Sequence, residues 1–168
     1  RAEKDGNMYY TCVGTGNFNE SSAKIYSDHT LMTSDQRIGA SVRKVFGIVE
    51  KKKFDYQFSQ LWVSPINMRS QMIKSIDNEI KKANNGQPAE VFLKVNNLID
   101  KELVKKLYEA NNAGVKVRLI VRGVLGLVPG VKGQSENIEA ISIVDKYLEH
   151  SRIFVYGAGA NKKVIISS

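Results

Sequence analysis

Along the first fifty positions the apolar residues recur in two rhythms. Residues 8–13, MYYTCV, are strand formers uninterrupted by turn residues, and they run into GTGNFNESS, whose glycines, asparagines and serines read as a loop. In AKIYSDHTLMT, residues 23–33, Ile25 and the later apolar positions Leu31 and Met32 are separated by polar residues, so a second strand is expected and the two form a hairpin-like pair. Beyond Ser34, a residue able to cap a helix, Ile38, Val42, Val45, Phe46 and Val49 recur at spacings of three and four. The rhythm is lost in KKKFDYQ, the expected boundary.

From there the pattern becomes strand, helix, strand, helix, strand. QLWV reads as a short strand, and Ser64 followed by Pro65 as a helix cap with proline in the first turn. Met72, Ile76 and Ile80 then fall four apart until NNGQP stops the helix. VFLKV is the next strand. Asp100 caps a helix in which Ile99 and Val104 hold the positions of a hydrophobic staple, Leu103 and Leu107 face inward, and Gly114 ends the run. VKVRLIV is apolar enough to lie inside a sheet. Glycines 123, 126, 130 and 133 with Pro129 make a long loop, followed by three strand-like runs, IEAISIV, RIFVYG and KKVIISS. The alternation predicts an α/β fold with a parallel core and right-handed crossovers. The expected division is residues 1–50, a linker at 51–58 and a second unit at 59–168. The chain opens without Met and stops in an alternating run that meets no turn, so it reads as a piece of something longer, truncated at both ends.

Composition narrows the class. With 168 residues, 42% hydrophobic and 25% charged, general disorder is excluded, and no apolar run approaches the roughly 20 residues that span a bilayer. Cys12 has no internal partner for a disulfide, and with only His29 and His150 beside it a zinc site is not expected. A formal charge of +8 favours polyanionic partners, although Lys51, Lys52 and Lys53 read as a solvated linker.

In an open parallel sheet, ligands bind beyond the carboxyl ends of the strands. Asn96 and Asn97 follow VFLKV there, and Arg122 follows VKVRLIV. Arginine offers a planar fork that matches two phosphate oxygens, although a structural ion pair explains its position equally well. GTGNFN could turn backbone N–H groups toward an anion, but it lacks the Gly-Lys-Ser/Thr of a phosphate loop and the third glycine of a dinucleotide fingerprint. His150, between Glu149 and Ser151, has the side chain best matched to proton transfer or phosphoryl acceptance near neutrality. Ser167 and Ser168 have no visible activating partner, so nucleophilic serine chemistry is unsupported.

Taken in order, YTCVGTGNFNESSAKIYSDHTLMTSD, LKVNNLID, VRLIVRG, SENIEAISIVDKYLEHSRIF and KKVIISS closely resemble the first family of polyphosphate kinases. The resemblance covers the whole chain and implies two phospholipase D-like catalytic domains: residues 1–50 as the end of the first C-terminal one, and 59–168 as the first part of the second. It also implies reversible transfer of the terminal phosphoryl group of ATP to inorganic polyphosphate, with magnesium whose ligands lie outside this chain. The family's phosphohistidine, in an H-x-K motif upstream of GTGNFN, is absent, so the chain alone is expected to be inactive. By matching motifs, Tyr26, Arg122 and His150 correspond to ATP and phosphate contacts, and His150 to the family's second active-site histidine. GTGNFN would place Asn17 or Asn19 near the phosphohistidine.

The resemblance further implies ATP, ADP and polyphosphate as partners without specific nucleic acid, a homo-oligomeric cytoplasmic parent, and room for peripheral membrane association. Arg152 stands where phospholipase D enzymes carry the lysine of H-x-K, which favours a kinase over a phosphodiesterase. The roles of Asn17, Asn19 and Arg152 stay open. The alternatives are a phospholipase D-like phosphodiesterase or nuclease, and a non-catalytic polyanion-binding module.

Overall fold

The computed structural model describes residues 2–3, 6–52 and 54–167, so Lys53 of the basic run and Ser168 of the expected run KKVIISS lie outside the described residues. In chain order the elements are β1 (Ala2–Glu3), β2 (Gly6–Asn7), β3 (Thr11–Gly14), the one-turn helix α1 (Glu20–Ala23), β4 (Tyr26–Ser27), β5 (Thr30–Thr33), α2 (Gln36–Lys51), α3 (Met68–Asn84), β6 (Glu90–Val95), α4 (Lys101–Asn112), β7 (Lys116–Val121), β8 (Ile138–Ile141), β9 (Leu148–Glu149), β10 (Arg152–Tyr156) and β11 (Lys163–Ser167). They fall into two compact units. One joins the chain up to Gly14 with Thr30–Gln71, and the other joins Thr15–His29 with everything from Met72 onward.

In the first unit β3 and β5 pair antiparallel from Thr11↔Thr33 to Gly14↔Thr30, the hairpin-like pair that the alternation predicts. Tyr9 and Tyr10 precede the strand instead of joining it. The Tyr9 N–H and C=O are both met by the Gln36 side-chain amide, at 3.0 and 3.1 Å, so this backbone needs no sheet partner. The strand expected over 23–33 starts only at Tyr26, because α1 runs to Ala23 and the Ile25 N–H closes a turn onto the Ser22 carbonyl, and it is broken at Asp28–His29, where the Thr15 hydroxyl accepts from the His29 N–H and the Thr15 N–H donates to the His29 carbonyl. Helix α2 is capped by Asp35, not by Ser34. The Asp35 carboxylate accepts from the Arg37 and Ile38 N–H groups, and hydrogen bonds from Arg37 hold it down at about 2. Its buried positions are Gly39, Ser41 and Ile48, while Phe46 and Val49 stay exposed. Gly39 is required there, because a Cβ would collide with Tyr9.

QLWV forms no strand, and α3 begins at Met68 instead of at Pro65. The Asn67 side chain explains both differences. It accepts from the Val63 N–H at 2.6 Å and donates to the Leu61 carbonyl at 3.2 Å, satisfying this backbone as a turn.

The second unit is built on a five-stranded sheet in the order β11-β10-β6-β7-β8. Strands β6, β7 and β8 run parallel, and β10 is antiparallel to both β6 and β11, so the sheet is mixed. Side chains alternate across it. Val91, Leu93, Val117, Leu119, Val121, Ile138, Phe154 and Tyr156 are buried, as are Met72 and Ile76 of α3 and Leu103, Leu107 and Ala110 of α4, which packs against β7. Each of the valine, leucine, isoleucine, methionine and phenylalanine side chains among them contributes about 1.5–3 kcal/mol when fully buried.

Asp100 caps α4 as expected, accepting from the Glu102 and Leu103 N–H groups at 3.0 Å each, a contact worth about 1 kcal/mol. Ile99 is 62% exposed, so the expected staple does not bury it. Gly114, at φ +86, ends the helical segment in a conformation that disfavours other residues. The run IEAISIV is strand only over β8, and the short β9, not foreseen, pairs in parallel with β4.

Candidate active site

The position of the site follows from strand direction. Asn96 and Asn97 leave the carboxyl end of β6, and Arg122 leaves that of β7. Because β10 is antiparallel to β6, the start of β10 lies at this same edge, with Ile153 opposite Lys94. His150, two residues before β10, therefore lies at the same edge of the sheet as Arg122, with β6 between the strands that carry them.

Residues 25–28 come to His150 through the β4–β9 ladder. Tyr26 pairs with Leu148 and Ser27 with Glu149. The Leu148 N–H donates to the Ile25 carbonyl at 2.8 Å and the His150 N–H to that of Ser27 at 3.3 Å. This sets Asp28 Oδ1 at 2.9 Å from His150 Nδ1. The fully buried Thr15 holds the same carboxylate oxygen: its Oγ1 donates to Asp28 Oδ1 at 2.7 Å and accepts from the His29 N–H at 2.9 Å. Gly16 completes the seat, since any Cβ there would fall on the Asp28 carboxylate. The Tyr26 ring stacks on the imidazole, with centroids 5.0 Å apart and planes inclined by 19°.

Burial pushes the Asp28 carboxyl up, but hydrogen bonds from Thr15 and His150, with attraction to His150 and His29, outweigh it and hold the group below its ordinary 3.8. Asp28 is therefore an anion near neutrality. A carboxylate only accepts, so the proton between the two groups belongs to Nδ1, and Nε2 is the free position of the ring. Such an imidazole can exchange a proton at Nε2, and the carboxylate stabilises the cation that forms.

The structure thus brings together two of the residues expected from sequence, Tyr26 and His150, and puts Arg122 at the same sheet edge. Arg122 Nε is buried and lacks a hydrogen-bond partner among the described residues. A buried donor without an acceptor is costly, and it marks where an acceptor would be favourable. Asn97 serves the loop instead: its Oδ1 accepts from the Val124 N–H at 2.8 Å, while the Asn96 carbonyl takes the Gly123 N–H at 2.7 Å. Asn19 Oδ1 is committed to capping α1. Arg152 Nη1 reaches the His150 carbonyl at 3.5 Å.

Sequence reasoning missed Asp28, Thr15 and Lys94. Asp28 lies 122 residues from His150 in the chain, and only the unforeseen β4–β9 pairing joins them. Among the described residues no group of three or more His, Cys, Asp or Glu is arranged to hold a metal ion. A cleft of about 520 Å³, lined by Gly86, Glu90, Gly114 and Lys116 among others, lies at the opposite edge of the sheet. No helix among the described residues is long and apolar enough to cross a membrane.

Comparison with known proteins gives a consistent result. Residues 61–168 match the family described as polyphosphate kinase C-terminal domain 2, and residues 1–55 that described as polyphosphate kinase C-terminal domain 1. The chain is 49% identical over 168 residues to a polyphosphate kinase of Vibrio cholerae and 46% identical to one of Escherichia coli K12, covering 100% of this chain and 24% of each relative. Its backbone is similar to the crystal structure of polyphosphate kinase from Porphyromonas gingivalis, with a TM-score of 0.86 at 41% identity over 95% of this chain and 26% of that one. The chain spans about a quarter of the length of the relatives it matches. Matched along both stretches and in its fold, it belongs to the polyphosphate kinase family.

Proposed function

We propose that this chain is part of a longer ATP:polyphosphate phosphotransferase and supplies one side of its phosphoryl-transfer site. The observation that carries this reading is the Asp28–His150 pair, its imidazole stacked on Tyr26, at the sheet edge where a buried Arg122 nitrogen has no partner among the described residues. Residues 1–50 would close the first phospholipase D-like catalytic domain, 51–58 would link, and 59–168 would open the second.

Phosphoryl transfer asks mainly for positioning and neutralisation of charge on the moving group. Arg122 clamps phosphate oxygens with its fork. His150 presents Nε2 to the bridging oxygen of the P–O bond that breaks, giving a proton to that oxygen as it departs and taking it back in the reverse transfer, while Asp28 holds Nδ1. Tyr26 fixes the ring plane by stacking and offers its hydroxyl to the nucleotide phosphates. The covalent carrier is a histidine outside this chain, and magnesium would be held by residues outside it as well. The same reading gives the parent protein ATP, ADP and polyphosphate as partners, a homo-oligomeric state, a cytoplasmic location and an option for peripheral membrane association.

A phospholipase D-like phosphodiesterase would use a similar histidine, but Arg152 replaces the lysine that such enzymes carry after it, and its guanidinium turns back to the His150 carbonyl. The discriminating experiment gives the full-length protein ATP, magnesium and a polyphosphate primer in one assay, and bis(4-nitrophenyl) phosphate in another. ATP-dependent chain growth without diester hydrolysis is expected. Diester hydrolysis without nucleotide dependence would overturn the reading in favour of the phosphodiesterase, and salt-sensitive polyanion binding with neither activity would overturn it in favour of a binding module.

A further inference from the structure

We infer that Lys94 is a positioning residue for His150, gripping the chain on both sides of the histidine from the neighbouring strand; the inference rests on the reading of His150 above. Lys94 is only 7% exposed, and lysine is almost never so buried unless it is paired. Its ammonium donates to Glu149 Oε2 at 2.5 Å and to Ser151 Oγ at 2.8 Å. Ser151 is itself 1% exposed, and the Glu149 side chain about a third.

The two acceptors are the residues immediately before and after His150. In extended chain, successive side chains point to opposite sides, so 149 and 151 turn toward Lys94 while 150 turns toward Asp28. Register supplies the reach. Lys94 lies opposite Ile153, on whose side of β10 Ser151 also falls. The histidine is therefore held at three points: its ring by Asp28, and its two neighbours by one ammonium anchored in the central part of the sheet.

Stability alone is a poor explanation for this arrangement. A buried ion pair roughly breaks even against well-packed apolar side chains of similar volume. What the lysine adds is geometric: two directed hydrogen bonds that leave the His150 backbone one place to be, the kind of support that a reacting group needs from the residues behind it.

The test uses the full-length protein with Lys94→Met, the double variant Lys94→Met/Glu149→Gln, and His150→Ala as reference. Turnover with ATP and primer, thermal midpoint, and the rate of diethyl pyrocarbonate modification of His150 relative to the exposed His29, read by peptide mass spectrometry, are measured on each preparation that retains the residue. Lys94→Met should lower kcat about ten- to a hundredfold with KM for ATP little changed, the scale expected when a reacting group is displaced by an ångström or so. Modification of His150 should accelerate relative to His29. The double variant, freed of the orphaned carboxylate, should regain much of the thermal midpoint but not the turnover. Turnover that recovers in step with the midpoint, or an unchanged His150 to His29 ratio, would show a merely structural lysine and overturn the inference. Wild-type turnover in Lys94→Met beside a slow His150→Ala would defeat the inference alone. Wild-type turnover in His150→Ala would defeat the reading beneath it, and the inference with it.

Discussion

His150→Ala in the full-length protein should lower kcat for ATP-dependent polyphosphate synthesis by about a hundredfold or more, the usual scale for a positioned acid-base group, with little change in KM. The split between the two constants follows from the geometry. Nδ1 is engaged by Asp28, so the ring offers substrate only Nε2, and one nitrogen that acts on the breaking bond contributes more to the transition state than to ground-state binding. Stability should be nearly unaffected. The His150 side chain is 20% exposed, and Asp28 keeps its hydrogen bond from Thr15 when the imidazole is removed. Thermal midpoint and steady-state constants measured on one preparation check both halves. A near wild-type rate at unchanged midpoint would remove His150 from the chemistry.

Arg122→Lys should act differently, raising KM for ATP as well as lowering kcat. The charge survives the substitution, but the planar fork does not, and neither does the Nε that is buried without an acceptor at the head of the glycine-rich loop. Loss of one hydrogen bond to a charged group costs about 1.5–3 kcal/mol, roughly ten- to a hundredfold in kcat/KM. A structural arginine would show the opposite pattern, a fall in thermal midpoint with kinetic constants unchanged per folded molecule.

The parts of this fold that were legible in the sequence are those whose signals are local. Asp100 and the spacing of Leu103 and Leu107 define α4, and the apolar residues of β6 and β7 announce strands in which Val91, Leu93, Val117, Leu119 and Val121 are buried while Lys116 and Arg118 on the other face stay exposed. The failures occur where a side chain elsewhere decides the backbone. Asn67 turns QLWV away from strand, Gln36 occupies the backbone of Tyr9, and Thr15 takes up the backbone of His29 in the middle of what alternation reads as one strand. None of these contacts has a periodic signature.

The site divides in the same way. Arg122 is legible from its place after an interior strand. His150 is singled out by its side-chain chemistry and Tyr26 only by the resemblance, and nothing in YSDH or LEHSR taken separately says that the two segments pair. Asp28 and Lys94 are invisible for a related reason: each acts through a partner more than fifty residues away, Lys94 at separations of 55 and 57 and Asp28 at 122. Strand register, not composition, determines which polar side chain meets the histidine.

The central claim is that His150 and Arg122 address the same phosphate group from one edge of the sheet. A crystal structure of the full-length protein with a non-hydrolysable ATP analogue measures it directly. The expected result is a phosphate oxygen within about 3.2 Å of His150 Nε2, with Nδ1 still on Asp28 and the Arg122 guanidinium donating to oxygens of the same nucleotide. A nucleotide whose phosphates lie away from this edge, with His150 Nε2 and Arg122 both satisfied by protein groups, would contradict it.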